Sequence, residues 1–203
     1  MGGTGIDDLS DHPLALLPGS RQTLRPRKDP DKQLGTVFGI LIGAAWVGEI
    51  LLGNLGGTTV LGNLREHYAQ IDHLAASFAV GAVALTATGT FLAASEAGWA
   101  VSGIRVGIRS GIVSGAIVFV TLMCVVWLFH DAMMLDTANV REFARRAHRM
   151  PTTAELSSFL YWDAFAGAVN HLWIGPLLGV TVGGASAVVG KLAYVDKGPR
   201  AEG

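Results

Sequence analysis

The sequence predicts an all-α integral membrane protein, built as a four-transmembrane-helix bundle with glycine-rich (GxxxG) packing and an amphipathic surface helix between the third and fourth spans. Three observations predict this fold class. Half of the 203 residues are hydrophobic and only 15% are charged, whereas soluble domains carry about 25% charged residues. Four apolar segments each have about the 20 residues needed to cross a bilayer. Glycine recurs at every fourth position in these segments, a pattern typical of closely packed membrane helices.

The first predicted span runs from Leu34 to Leu55 and contains a single ionisable residue, Glu49. The residues before it mix Gly, Pro, Asp and Arg, which is typical of a mobile tail. We therefore predict a flexible cytoplasmic tail over residues 1–32, a transmembrane domain over residues 33–192 and a cytoplasmic C-terminal tail over residues 193–203.

The second predicted span covers about residues 74–95, and the third covers about residues 111–129. The segment between them, residues 96–110, is interpreted as a short turn. Its two arginines, Arg105 and Arg109, are spaced one helical turn apart, which is typical of anchors at lipid headgroups.

Two local signals accompany these spans. Asn63 and Glu66 have the spacing of a capping box, which predicts a helix start ahead of the second span. Cys124, in the third span, is the only cysteine, so an intramolecular disulfide is excluded. The apolar residues around Cys124 predict that its thiol is buried and inert.

An amphipathic helix is predicted in the longer connection that follows the third span. One side of this helix is apolar and the other side is basic, which predicts a helix lying on the membrane surface. The apolar side consists of Val140, Phe143, Ala144 and Ala147, and the basic side of Arg141, Arg145, Arg146 and Arg149.

The fourth predicted span covers about residues 165–189. Pro151 ends the amphipathic helix, and Thr152 with Glu155 has capping-box spacing for a new helix. Pro176 predicts a kink within the span.

The distribution of basic residues predicts the orientation. Ten of the fifteen Lys and Arg residues lie in the N-terminal tail, in the turn at residues 96–110 and in the C-terminal stretch from Lys191 onward. The positive-inside rule therefore places both termini in the cytoplasm of a multi-pass protein of the cell inner (plasma) membrane.

The glycine rows predict how the helices pack. Hydrophobicity does not draw helices together in lipid, so close approach of their backbones at small residues has to do so. The glycines assigned to helix packing are Gly35, Gly39, Gly43, Gly81, Gly107, Gly111, Gly115, Gly175, Gly179 and Gly183. A groove left open beside these rows for a flat cofactor or a lipid is the alternative interpretation.

Two ionisable residues within the spans, Glu49 and His171, are the candidates for a functional site. An ionisable group at membrane depth is costly and suggests function by default. Each projects toward a glycine row, and both are predicted to lie in the outer half of the membrane. We therefore expect a shared polar pocket, a candidate for proton exchange, with Asn54 and Asn170 near its mouth. A purely structural hydrogen-bonded pair is the alternative.

Histidines and carboxylates occur near the predicted outer helix ends, where they could form a metal-binding site. His73, His130 and Asp131 are the candidate ligands, because imidazole and carboxylate together suit a divalent ion. No HExxH or similar fixed spacing accompanies them. No cofactor is therefore predicted, and a divalent metal or haem stays the alternative.

The function classes that remain are few. A net charge of −1 gives no reason to expect a nucleic-acid partner, and no nucleophile motif or phosphate-binding loop occurs, so catalysis is left open. The first reading is a non-catalytic accessory or assembly subunit that contacts the lipid bilayer and a second copy or a membrane partner subunit. A proton-coupled transporter using Glu49 is the second reading, and a metal- or haem-binding redox subunit is the third.

Overall fold

A computed structural model describes residues 30–60 and 71–196 of the chain. All the elements within these residues are α-helices. In chain order they are α1 (Pro30–Leu55), α2 (Ile71–Ala97), α3 (Ala100–Leu128), α4 (His130–Leu135), α5 (Thr137–Ala147) and α6 (Thr153–Asp196). The predictions for residues 1–29, for the Asn63–Glu66 capping box and for residues 197–203 lie outside the described residues.

Four of the described helices are long and apolar enough to cross a membrane. They are Pro30–Leu55, Ala76–Ala97, Ala100–Leu128 and Thr153–Tyr194. Their positions match the four apolar segments of the sequence. The prediction of an all-helical chain with four helices of membrane-crossing length is confirmed.

The four long helices run alternately up and down, with α3 in contact with each of the others. The end of the bundle where α1 begins and α6 ends is called the tail end. The opposite end, which carries α4 and α5, is called the connector end. Helix α6 packs mainly on α3 and α2, while α1 packs mainly on α3. Helices α1 and α6 are therefore not principal packing partners of each other.

The predicted turn at residues 96–110 was too long. Helix α2 ends at Ala97, and α3 begins at Ala100 after only Gly98 and Trp99. Gly98 has φ +70°, a left-handed conformation that glycine adopts without strain, and this residue reverses the chain. Gly103 and Gly107 of the segment are helical because they pack against other helices, so their low intrinsic helix propensity does not end the helix.

Helix α6 is 44 residues long, or about 66 Å at 1.5 Å per residue. This is more than twice the roughly 30 Å of a hydrocarbon core, so the predicted span at residues 165–189 is only its central part. The predicted capping box is present at its start: the Thr152 amide donates to Glu155 Oε2 at 2.9 Å, and the Glu155 amide donates to Thr152 Oγ1 at 3.3 Å. The helix continues through Pro176.

The junction between α4 and α5 lies at the connector end and packs against the turn that follows α1. Asp136, 5% exposed, caps α5 by accepting a hydrogen bond from the Ala138 amide at 2.9 Å. The turn after α1 packs against this carboxylate, since a Cβ added at Gly57 would lie 3.0 Å from its Oδ2. The apolar core of this end is made by Ile50, Leu55, Val118, Leu122, Val125, Val126, Met133, Leu160 and Ala168.

The outer surface of the bundle is strongly apolar. Val80, Val120 and Leu177 are 58% exposed or more, whereas soluble monomers rarely expose large contiguous apolar patches. Cys124 is also exposed, so the prediction of a buried thiol is wrong. Cys124 lies on the outer face of α3, whereas its sequence neighbours Leu122, Val125 and Val126 point into the core.

Candidate functional site

Helices α3 and α6 meet through their glycines. A Cβ added at Gly107 would overlap the carbonyl oxygen of Gly179, and one added at Gly111 would overlap the Gly175 carbonyl group. The same added atom at Gly111 would lie 2.5 Å from the nitrogen of Pro176. Only glycine fits at these positions, because the opposing atoms are backbone and cannot turn aside.

The glycine row of α1 contacts α3 in a different way. A Cβ added at Gly39 would lie 2.6 Å from Val113 Cβ, and one added at Gly43 would lie 2.7 Å from Ile117 Cδ1. At Gly35 the nearest atom would be Arg109 Cβ, at 3.0 Å. The α1 glycines therefore receive mainly side chains of α3, together with the Ser110 carbonyl oxygen at 2.9 Å from the Gly39 Cβ, whereas Gly175 and Gly179 of α6 receive its backbone.

The remaining packing glycines differ among themselves. A Cβ at Gly115 would lie 2.9 Å from the His171 carbonyl oxygen, and one at Gly183 would lie 2.9 Å from Thr90 Cγ2. Gly81 is different, since a Cβ there would meet nothing within 4 Å. Gly190 is absent from the sequence prediction, yet a Cβ there would lie 2.6 Å from the Phe91 carbonyl oxygen. Its spacing does not continue the row of Gly175, Gly179 and Gly183, which is why the pattern did not point to it.

The structure brings Glu49 and His171 into one neighbourhood, between α1 and α6 in the connector-end half. Both side chains are half-buried, and they lie within range of a Coulombic interaction. Trp46, which lies one turn before Glu49, packs edge-on against the His171 ring with 5.1 Å between ring centroids. Trp46 was not singled out from the sequence, although its i, i+3 spacing to Glu49 places the two on one helix face.

The hydrogen bonds of these two residues are local. His171 Nδ1 lies 2.8 Å from the carbonyl oxygen of Gly167, and since a carbonyl only accepts, Nδ1 carries the proton. Its Nε2 is left to accept or to bind a second proton. Within the described part of the chain, no hydrogen bond joins Glu49 to His171. The Glu49 carboxylate instead lies along its own helix, where a Cβ added at Gly53 would be 3.7 Å from Oε1.

The two asparagines of the predicted pocket are placed differently. Asn54 is half-buried, and its Nδ2 donates to the Ile50 carbonyl oxygen of its own helix at 2.9 Å. Asn170 is exposed on α6. Neither contributes a described hydrogen bond to Glu49 or His171.

The predicted metal ligands whose side chains the structure describes, His130 and Asp131, are not part of a group of three that could hold a metal ion. His130 Nε2 lies 2.9 Å from Ser157 Oγ, its Nδ1 lies 3.3 Å from Asp131 Oδ1, and its ring stacks on Tyr161. The side chain of His73 lies outside the described residues. Among the described residues, no group of three His, Cys, Asp or Glu side chains is placed to hold a metal ion.

The buried hydroxyl groups in the spans bond to their own helices. Thr86 donates to the Ala82 carbonyl oxygen at 2.8 Å, and Ser110 donates to that of Gly107 at 2.9 Å. Thr90 and Ser114 make equivalent bonds. No buried side-chain nitrogen or oxygen of the described residues is without a hydrogen-bond partner. Local bonds of this kind satisfy each hydroxyl without a ligand.

A cluster of ion pairs that the sequence prediction did not include joins α5 to the start of α6. Glu142 accepts from Arg145 Nε at 2.8 Å and from Arg146 Nε at 2.6 Å, and these bonds lower the pKa of Glu142 to about 2. Arg146 Nη1 also donates to Asp163 at 2.7 Å. The i+3 and i+4 spacing of Glu142 to its two arginines is the signal that could have revealed it.

Aromatic contacts extend this cluster. Phe143 of α5 packs edge-on against Phe159 of α6, with 5.5 Å between centroids. The Arg146 guanidinium lies 5.3 Å from the centre of the Phe159 ring, and Arg149 pairs with Glu155. Three of the four arginines assigned to the basic side of the helix are thus already bound to carboxylates of this chain.

Comparison of this chain with protein-family models, curated proteins and solved structures found no match.

Proposed function

We propose that this protein is a non-catalytic accessory or assembly subunit embedded in the cell inner membrane, with both termini in the cytoplasm. The observation that carries the proposal is the contact between α3 and α6. Gly107 and Gly111 lie directly against the backbones of Gly179 and Gly175. A bundle in which two spans meet backbone to backbone has no room between them for a route through the membrane.

The hydrogen bonding of the spans also supports a structural role. Thr86, Thr90, Ser110 and Ser114 donate to carbonyl oxygens of their own helices. A site that binds a polar substrate instead needs polar groups that converge on a common space. Within the described spans, Glu49 and His171 are the one pair of ionisable side chains that lie near a common space.

The placement of the bundle in a bilayer follows from its surface. Large apolar side chains are exposed on all four long helices, and Trp127 and Trp162 near the connector end are 72% and 71% exposed. Trp99 at the tail-end turn is 69% exposed. Tryptophans at both ends of a span are typical of membrane interfaces. In this proposal the glycine rows pack the helices, and α5 lies at the membrane surface.

Flux measurements on reconstituted protein test the absence of transport. Proteoliposomes holding a pH-sensitive dye should show the same proton leak as empty liposomes when a potassium-diffusion potential is applied. Glu49→Gln should leave that leak unchanged. The accessory-subunit proposal also expects the protein, extracted from its native membrane in a mild detergent, to migrate as an assembly heavier than one 21.3 kDa chain.

A second candidate function, proton-coupled transport, is favoured by one specific observation. The Glu49 carboxylate has no hydrogen-bond partner in the described part of the chain, and it lies beside a histidine that can take a second proton. Such a pair can exchange protons. Proton flux above the empty-liposome value that Glu49→Gln abolishes, with His171→Gln reducing it, would replace the first proposal with this one.

A further inference from the structure

Two adjoining grooves at the tail end share the side chains of Arg105 and Arg109. The first, of about 310 Å³, is lined by these arginines together with Asp31 and Lys32. The second, of about 390 Å³, is lined by the same arginines with Ile108, Ile112 and Val113. A cationic groove at the helix end therefore continues into an apolar groove along α3.

The two arginines are held differently. Arg109 Nε donates to Thr36 Oγ1 of α1 at 2.9 Å. Its aliphatic stem crosses Gly35, where an added Cβ would lie 3.2 Å from Arg109 Cδ. Because Gly35 has no side chain, the aliphatic stem of Arg109 packs directly against α1. The Nη groups of Arg109 make no described bond, so they are left to meet a ligand.

Arg105, one turn earlier on α3, is exposed and makes no hydrogen bond or ion pair with any described residue. Among the described residues that line the cationic groove, Asp31 is the one acidic side chain, and Lys32, Arg105 and Arg109 are basic. The two arginines alone outweigh the charge of Asp31, so the described lining is net positive. This charge complements an anion with more than one acceptor oxygen, such as a phosphate, which arginine binds in bidentate fashion.

We propose that the paired grooves bind one anionic phospholipid. Its phosphate lies between Arg105 and Arg109, and one acyl chain lies along Ile108, Ile112 and Val113. The continuity of the two grooves favours a lipid over a free phosphate, because a free anion would leave the apolar groove uncovered. Ile112 is 53% exposed and faces the side on which an acyl chain would run. The inference does not depend on the accessory role proposed above.

Electron paramagnetic resonance of spin-labelled lipids tests this assignment on the full chain in phosphatidylcholine bilayers. The motionally restricted fraction of labelled phosphatidylglycerol, compared with that of labelled phosphatidylcholine, measures the preference for the anionic lipid. The intact protein should prefer phosphatidylglycerol. Arg105→Gln, which breaks no described contact, should lower that preference about fivefold, since a cation near a membrane surface contributes about 1 kcal/mol.

Lys191→Gln is the matched control, because Lys191 is an exposed cation at the same end of the bundle that lines neither groove. Its phosphatidylglycerol preference should equal that of the intact protein. Ile112→Ser should weaken the preference without any change in charge. An equal loss in Lys191→Gln and Arg105→Gln would overturn the site, because it would mean diffuse attraction to the membrane surface.

Soluble competitors separate a lipid from a free anion. Glycerophosphoglycerol or inorganic phosphate, added at the concentration of the labelled lipid, should not reduce the restricted fraction. Displacement by either one at that concentration would overturn the lipid assignment. A preference that Arg105→Gln leaves intact would overturn it as well.

Discussion

Toward the tail end, α3 and α6 are in contact through the backbones of Gly107, Gly111, Gly175 and Gly179, whereas toward the connector end the helices meet through large side chains. There, Val118, Leu122 and Val126 of α3 form one core with Leu160 and Ala168 of α6 and Ile50 of α1. We call these regions the glycine half and the side-chain half. The α3–α6 contact in the glycine half leaves no space for an added side chain, whereas the side-chain half is filled by its side chains.

This difference has a physical consequence for substitutions. Dispersion attraction falls off steeply with distance, so a backbone contact is lost when a side chain is inserted between the helices. A packed core is instead weakened by the removal of side-chain atoms, which leaves a cavity. The two halves should therefore respond oppositely to changes in side-chain volume.

The largest expected effect is that of Gly179→Leu in the glycine half. The new side chain would collide with the Gly107 backbone, and forcing the helices apart should cost about 3 kcal/mol or more. We expect loss of the folded protein in mild detergent, measured by thermal unfolding with circular dichroism. Gly184→Leu is the control on the same helix, because an added Cβ there meets nothing within 4 Å. Equal instability of both variants would mean that the glycine contact does not hold the bundle together.

A smaller effect is expected for Leu122→Ala in the side-chain half. Leu122 is 8% exposed within the connector-end core, and truncation of a buried leucine costs about 2–5 kcal/mol in soluble proteins. We expect the lower end of that range, about 2 kcal/mol, because the surrounding side chains can partly relax. Reversible unfolding in mixed micelles measures it, with the exposed Val120→Ala as the control. A loss larger than that of Gly179→Leu would reverse the ranking of the two halves.

The smallest effect concerns the ion pairs of α5. Arg145 and Arg146 hold the pKa of Glu142 at about 2, below its ordinary 4.5. A lowered pKa in the folded state stabilises the fold above pH 4.5 and loses that contribution as the pH falls toward about 2. Hydrogen exchange of the α5 amides, corrected for intrinsic rates, should therefore speed up over this interval while the spans stay protected.

Glu142→Gln provides the control for this titration. The amide keeps the size of the side chain but cannot ionise, so α5 should exchange faster at neutral pH and show no further acid-dependent step. An acid step of equal size in Glu142→Gln would assign the transition to another group, such as Glu155, whose pKa is lowered to about 2 by its hydrogen bond to Arg149.

The sequence was sufficient for the parts of the fold that follow from local chemistry. Apolar length predicted the four long helices, and the Thr152–Glu155 spacing predicted the start of α6. It could not identify which glycine rows face each other, because a GxxxG row at Gly107 and Gly111 is equally compatible with α1 or α6 as its partner. The contacts show that α6 presents backbone to this row, while α1 receives the side chains of Val113 and Ile117.

The sequence pointed to only some of the residues near the candidate site, because the other contacts depend on tertiary packing. Helical projection indicated that Glu49 and His171 both point into the bundle, but no local rule places Trp46 against the imidazole. The amphipathic pattern of α5 predicted a helix on the membrane surface and gave no partner for its arginines. Their pairing with Asp163 and Glu155 depends on how α6 returns past α5, which is a tertiary property.

The measurement that tests the central claim most directly compares Gly111→Ala with Gly81→Ala. A methyl group at Gly111 would overlap the Gly175 backbone, whereas one at Gly81 would meet nothing within 4 Å. Alanine is a better helix former than glycine by about 1 kcal/mol, so Gly81→Ala should leave the midpoint of thermal unfolding unchanged or raise it. Gly111→Ala should lower the midpoint despite that gain. Changes of the same sign in both variants would contradict the account of a bundle held together by backbone contact at the α3–α6 glycines.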